Sequence, residues 1–184
     1  MQALIDAQKS GIIKSGEICA VISNNAGAYA LERASANGIA TFVVSKKDCG
    51  SQDNFEDKLI AVLEENKIDF IVLAGFMCIL SERFTKHFAD RIINVHPSLI
   101  PSFCGDGFYG LKVHQAALDY GVKVTGATVH FVNEITDGGK IILQKAVAIQ
   151  DGDTAETLQK RVMEEAEWKI LPQAVELVCS GKVN

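Results

Sequence analysis

Asn94 and His96 stand two residues apart at the end of the apolar run Arg91-Ile92-Ile93. Side chains on an extended strand alternate faces, so an amide and an imidazole at this spacing point the same way. Pro97 and Pro101 follow closely, and proline both ends regular structure and restrains the residue before it. Later in the chain, Asp137-Gly138-Gly139 reads as a turn with a carboxylate at its tip. Taken singly, each residue has a plain structural reading: a capping amide, a hydrogen-bonded core histidine, a common Asp-Gly turn. Together they suit acyl transfer. The amide polarises a carbonyl, the imidazole, whose unperturbed pKa is about 6.5, moves protons, and the carboxylate orients it.

These groups need elements that carry them to one place. The chain alternates strand-like and helix-like segments, which predicts an α/β fold: an open, mostly parallel sheet with helices on both faces. Strands are expected at 17–23, 41–44, 70–75, 91–95, 124–132 and 140–149, the last two paired through the Asp137 turn. Helices are expected at 2–10, 29–37, 54–67, 82–89, 111–120 and across 154–179. Gly11 and Gly38 sit where helices stop. Phe55, Leu59, Val62 and Leu63 mark the buried face of one helix. Asp153 with Glu156 reads as a helix cap pair, and Pro172 is expected to kink or divide the last helical stretch. Open α/β sheets bind ligands at the carboxyl ends of their strands, which is where Asn94 and His96 fall.

The glycines of Gly105-Asp106-Gly107-Phe108-Tyr109-Gly110 lack the strand-then-helix context of a dinucleotide or phosphate loop. A loop that covers substrate is the better reading. His114 and His130 are assigned to structure.

At 184 residues the chain fits one domain, 1–184, without linker or repeat. With 48% apolar and 22% charged residues it has the balance of a globular chain with its own core. A net charge of −5 and the lack of a basic stripe argue against nucleic acid. The five cysteines are odd in number and scattered, so free thiols and no metal site are expected. No apolar run reaches the ~18 residues of a membrane span, and a cytoplasmic location follows by default.

The stretch Asn94-Val95-His96-Pro97-Ser98-Leu99-Ile100-Pro101 and the stretch Gly126-Ala127-Thr128-Val129-His130-Phe131-Val132-Asn133-Glu134-Ile135-Thr136-Asp137-Gly138-Gly139-Lys140-Ile141-Ile142 resemble the folate-dependent formyltransferases, and within them the branch that formylates glycinamide ribonucleotide in purine synthesis. Leu73-Ala74-Gly75-Phe76-Met77-Cys78-Ile79-Leu80 and Met1-Gln2-Ala3-Leu4-Ile5-Asp6-Ala7 agree as well. The resemblance runs along the whole chain.

It implies a Rossmann-like formyltransferase fold and transfer of formyl from 10-formyltetrahydrofolate, as cosubstrate, to the amine of glycinamide ribonucleotide, with no metal. Asn94, His96 and Asp137 are then catalytic. Met77, Cys78, Ile79, Leu80 and Asn94 bind the folate, and Glu167 binds the nucleotide. Many family members have arginine at Cys78 and some have one near Gln52, so contacts here rest on backbone and apolar groups. The partners implied are the two small molecules, with the protein a monomer or homodimer. In the family a hydrophobic strand and a glycine-rich phosphate loop precede the segment like residues 2–7. Neither is in this sequence, so an N-terminally truncated fold with weak nucleotide binding is expected. Two alternatives remain open: a formyltetrahydrofolate deformylase, and a non-catalytic folate-binding remnant without the phosphate site.

Overall fold

The computed structural model describes residues 1–183. In chain order the elements are α1 (Gln2–Lys9), β1 (Ala20–Ser23), α2 (Tyr29–Ser35), β2 (Ala40–Val43), α3 (Lys46–Cys49), α4 (Gln52–Glu65), β3 (Ile71–Leu73), α5 (Glu82–His87), β4 (Ile92–His96), α6 (Leu111–Tyr120), β5 (Val124–Phe131), β6 (Ile141–Ala148) and α7 (Ala155–Val162); a π-helical turn (Met163–Glu167) then leads into α8 (Trp168–Cys179).

The strands hydrogen-bond in two pieces. β1 and β2 form a parallel pair, and β3-β4-β5-β6 form a second sheet. Within the second sheet β3 and β4 are parallel, while β5 and β6 extend it antiparallel. The parallel α/β plan expected from the sequence is present, with the antiparallel hairpin on one side.

β4 shows why the sheet sits where it does. Ile92 and Ile93 are both fully buried, yet they enter different cores because strand side chains alternate. Ile93 joins Leu4 of α1, Leu158 and Val162 of α7, and Ile170, Leu171 and Ala174 of α8. Ile92 joins Phe55, Leu59 and Leu63 of α4 with Phe84 of α5. Helices therefore cover both faces. The same alternation puts Asn94 and His96 on the Ile92 side.

Serines cap the helices that frame this face. Ser51 accepts from the Asn54 N–H at the start of α4, and Ser81 accepts from the Phe84 N–H at the start of α5. One local expectation fails. The cap of α7 is Thr154 with Thr157, not Asp153 with Glu156. Asp153 is taken up by the Arg161 guanidinium at 2.6 Å and 2.5 Å and by the Gln150 N–H. These hold its carboxyl well below the usual range, because a bidentate guanidinium competes better for a carboxylate than a helix end does. Pro172, expected to kink or divide the last stretch, lies inside α8 and does not divide it. The π-helical turn ends at Glu167, just before Trp168, whose carbonyl a proline ring at 172 would crowd in a regular helix.

Candidate active site

β4 delivers Asn94 and His96 to the carboxyl edge, and its neighbours complete the site through their register. Asn94 pairs with Leu73 on one side and with His130 on the other, while His96 pairs with Thr128. Directly opposed residues of antiparallel strands share a face, so His130 must join Asn94 and His96. His130 is 2% exposed and His96 4%. Asn94 is half-buried, the opening of an otherwise closed cluster.

Asp137 comes from the β5–β6 connection and holds φ of +55°, a left-handed conformation that Asp tolerates better than most side chains. Gly139 lets the turn close: a Cβ there would lie 1.8 Å from the Phe131 carbonyl oxygen. The carboxylate reaches three groups. Oδ2 accepts from the Gly105 N–H at 2.8 Å and lies 3.4 Å from His96 Nδ1. Oδ1 lies 3.6 Å from His130 Nε2, too far for a hydrogen bond. Burial pushes the Asp137 carboxyl up. The His130 ring, the Gly105 N–H and the His96 ring outweigh it, and the net direction is down. The carboxylate is therefore the resident form.

His96 is gripped from both edges, by Asp137 at Nδ1 and by the Phe103 carbonyl 2.9 Å from Nε2. The loop that follows His96 is pinned from behind. Thr128, fully buried, donates to the Ser98 carbonyl and accepts from the Ile100 N–H, and Gln144 donates to both Thr128 and the Ile100 carbonyl. Gly126 gives this buttress its room, since a Cβ there would lie 2.9 Å from Leu99 Cδ2 and 2.0 Å from the Lys145 carbonyl oxygen.

The other sequence candidates fall outside this cluster. Residues 77–80 follow β3, whose last residue pairs with Asn94, so they lie along the same carboxyl edge. Met77 and Ile79 are largely exposed, and Cys78 and Leu80 half-buried. The segment is held from behind: Gln52 donates to the Ile79 carbonyl and to Glu56, and fully buried Glu56 accepts from the N–H and hydroxyl of Ser81. Glu167 lies in the π-helical turn within electrostatic reach of the Met1 ammonium. Burial pushes its carboxyl up to about 7, partly opposed by that ammonium.

Reading the sequence missed His130, because strand register is not written in the residues. It also missed the Phe103 and Gly105 backbone groups. His114 stays outside the cluster: it is fully buried in α6 with neither ring nitrogen hydrogen-bonded to another protein group. Burial, then the charge of His96, pushes it down to about 4. Among the described residues no cluster of three or more His, Cys, Asp or Glu could hold a metal ion, and no helix is long and apolar enough to cross a membrane.

An amide, an imidazole and a buried carboxylate at the carboxyl edge of an α/β sheet are groups that acyl transfer can use. The family model for formyl transferase matches residues 1–175, and the chain belongs to that family. Within it, the chain is 39% identical over 184 residues to phosphoribosylglycinamide formyltransferase of Escherichia coli K12, spanning 100% of this chain and 84% of that protein. The crystal structure of glycinamide ribonucleotide transformylase 1 from Symbiobacterium toebii matches with a TM-score of 0.92 at 39% identity, over 100% of this chain and 83% of that one. The chain is also 46% identical to the trifunctional purine biosynthetic protein adenosine-3 of Gallus gallus, of which it spans 18% of the length.

Proposed function

We propose that this chain transfers the formyl group of 10-formyltetrahydrofolate to the primary amine of glycinamide ribonucleotide. The observation that carries the reading is the convergence of Asn94, His96 and Asp137 at one carboxyl edge, in a member of the formyl transferase family.

The amine lone pair forms a bond to the formyl carbon, and the carbonyl π electrons move onto oxygen. The Asn94 N–H₂ and the His96 ring stabilise that oxyanion, and a preorganised donor of this kind is worth about 10²–10³ in rate. As the oxyanion collapses, the bond from carbon to the folate nitrogen breaks. One amine proton leaves and the folate nitrogen gains one, so atoms and charge balance without a further reactant. Asp137, 3.4 Å from Nδ1, holds the His96 ring in place. Residues 77–80 are the proposed contact for the folate heterocycle, through backbone groups and apolar side chains. Glu167, whose carboxyl is half-ionised near neutrality, is the proposed partner of the nucleotide ribose.

The test is incubation of the protein with both substrates and mass spectrometry of the nucleotide. Formylated nucleotide is expected. Release of free formate with unmodified nucleotide would favour hydrolysis by water, the deformylase reading. No reaction, together with heat on titration of a folate analogue, would favour a binding remnant.

A further inference from the structure

His130 Nδ1 lies 2.7 Å from the carbonyl oxygen of Phe131, its neighbour on β5. A carbonyl only accepts, so Nδ1 carries the proton. A neutral ring with its proton on Nδ1 has a lone pair on Nε2, and the Asn94 amide nitrogen lies 3.4 Å away. Asp137 Oδ1 stands 3.6 Å from the same Nε2. One nitrogen cannot do both: accepting from the Asn94 N–H₂ needs a lone pair, donating to the carboxylate needs a proton.

We propose that His130 is a positioning residue for formyl transfer, its Nδ1–H tautomer fixed by the Phe131 carbonyl so that bare Nε2 accepts one hydrogen of the Asn94 amide. An amide can sit in either of two flipped orientations, and only one presents N–H₂ to an oxyanion. With one amide hydrogen committed to His130, the second is fixed in direction and free to donate. The inference rests on the reading of Asn94 as the oxyanion donor. His130 has no open face of its own and acts only through Asn94. The cross-strand pairing of Asn94 with His130 keeps the two in register whatever the substrate does.

The experiment compares His130→Phe, which keeps the ring volume without the acceptor, with His130→Gln, which restores an acceptor near the Nε2 position. His130→Phe should lower kcat about 10- to 100-fold, less than the loss from deleting an oxyanion donor outright, and leave KM for both substrates within about twofold. His130→Gln should recover most of it. In an Asn94→Ala background His130→Phe should have little further effect, since the two act as one unit. Unchanged kcat in His130→Phe, a loss confined to KM, failure of a folded His130→Gln to recover, or full additivity with Asn94→Ala would each overturn the proposal. The ring nitrogens of His130 in the unaltered protein, read by ¹⁵N NMR, test the tautomer without any variant. Protonated Nδ1 with bare Nε2 supports the proposal; a proton on Nε2, alone or beside one on Nδ1, overturns it. If the unaltered protein forms no formylated nucleotide, the functional reading fails, while the tautomer still decides this inference.

Discussion

The carboxyl edge has two halves that are built differently. The corner made by Asn94, His96, His130 and Asp137 is largely buried, and its side chains are held from several directions by neighbouring strands and loops. The rim at residues 77–80 exposes its larger side chains and is fixed from behind by α4 through Gln52 and Glu56. A group that must meet developing charge loses its value if it can relax, because electrostatic stabilisation depends on not having to reorganise. A surface that grips an apolar heterocycle needs only shape and a few backbone partners. The corner is therefore expected to govern turnover and the rim to govern affinity.

The largest effect should come from the corner. His96→Ala and Asp137→Asn should each lower kcat by about 10²–10⁴, the range for general acid–base groups, while KM for both substrates moves little. Steady-state kinetics decides, and near-normal kcat in either variant would remove the division between the halves.

Next comes the buried imidazole behind the corner. His114 is pushed down from 6.5 to about 4 in the folded state. Between those values the unfolded chain binds a proton that the folded chain does not, so stability falls as the pH drops from 6.5 towards 4. The loss is on the order of 3 kcal/mol. His114→Leu should lack it. Urea unfolding of both proteins at pH 7 and near pH 4.5 provides the comparison, and equal acid losses would contradict it.

On the rim, Glu56→Ala strips the Ser81 N–H, the Ser81 hydroxyl and the Gln52 amide of their common acceptor. Gln52 keeps the Ile79 carbonyl, while the half-buried Ser81 donors left unmet cost about 1 kcal/mol each, so a lower Tm and a higher KM for the formyl folate are expected at unchanged kcat. A fall in kcat instead would mean that the two halves move together.

The smallest effect belongs to Ile79→Ala. Its side chain is 70% exposed, so stability should change by about 0.5 kcal/mol or less. Affinity for a folate analogue should weaken by no more than about tenfold. Calorimetric titration checks it, and loss of all binding would place Ile79 among the anchors of the site.

Much of this was legible in the chain itself. Strand alternation alone put Asn94 and His96 on one face, and Asp-Gly-Gly marked the turn that carries the carboxylate. Helix periodicity found Phe55, Leu59 and Leu63 as the face turned to the core. These are local properties: side-chain direction repeats every two residues in a strand and about every 3.6 in a helix, whatever lies elsewhere. What the tertiary structure decided depends on which distant segments meet. The pairing of Asn94 with His130 is a matter of register, and a slip of one residue would have turned His130 to the opposite core. Thr154 caps α7 because Arg161, about two turns further on, claims Asp153. Glu56, which reads as one more charge on a solvated helix, is buried because Ser81 folds back onto it from 25 residues away. Charge and hydrogen-bonding capacity are fixed by residue type. Their partners are fixed only when the strands and loops close on one another, and in this molecule that closure turns an amide, two imidazoles and a carboxylate into one site.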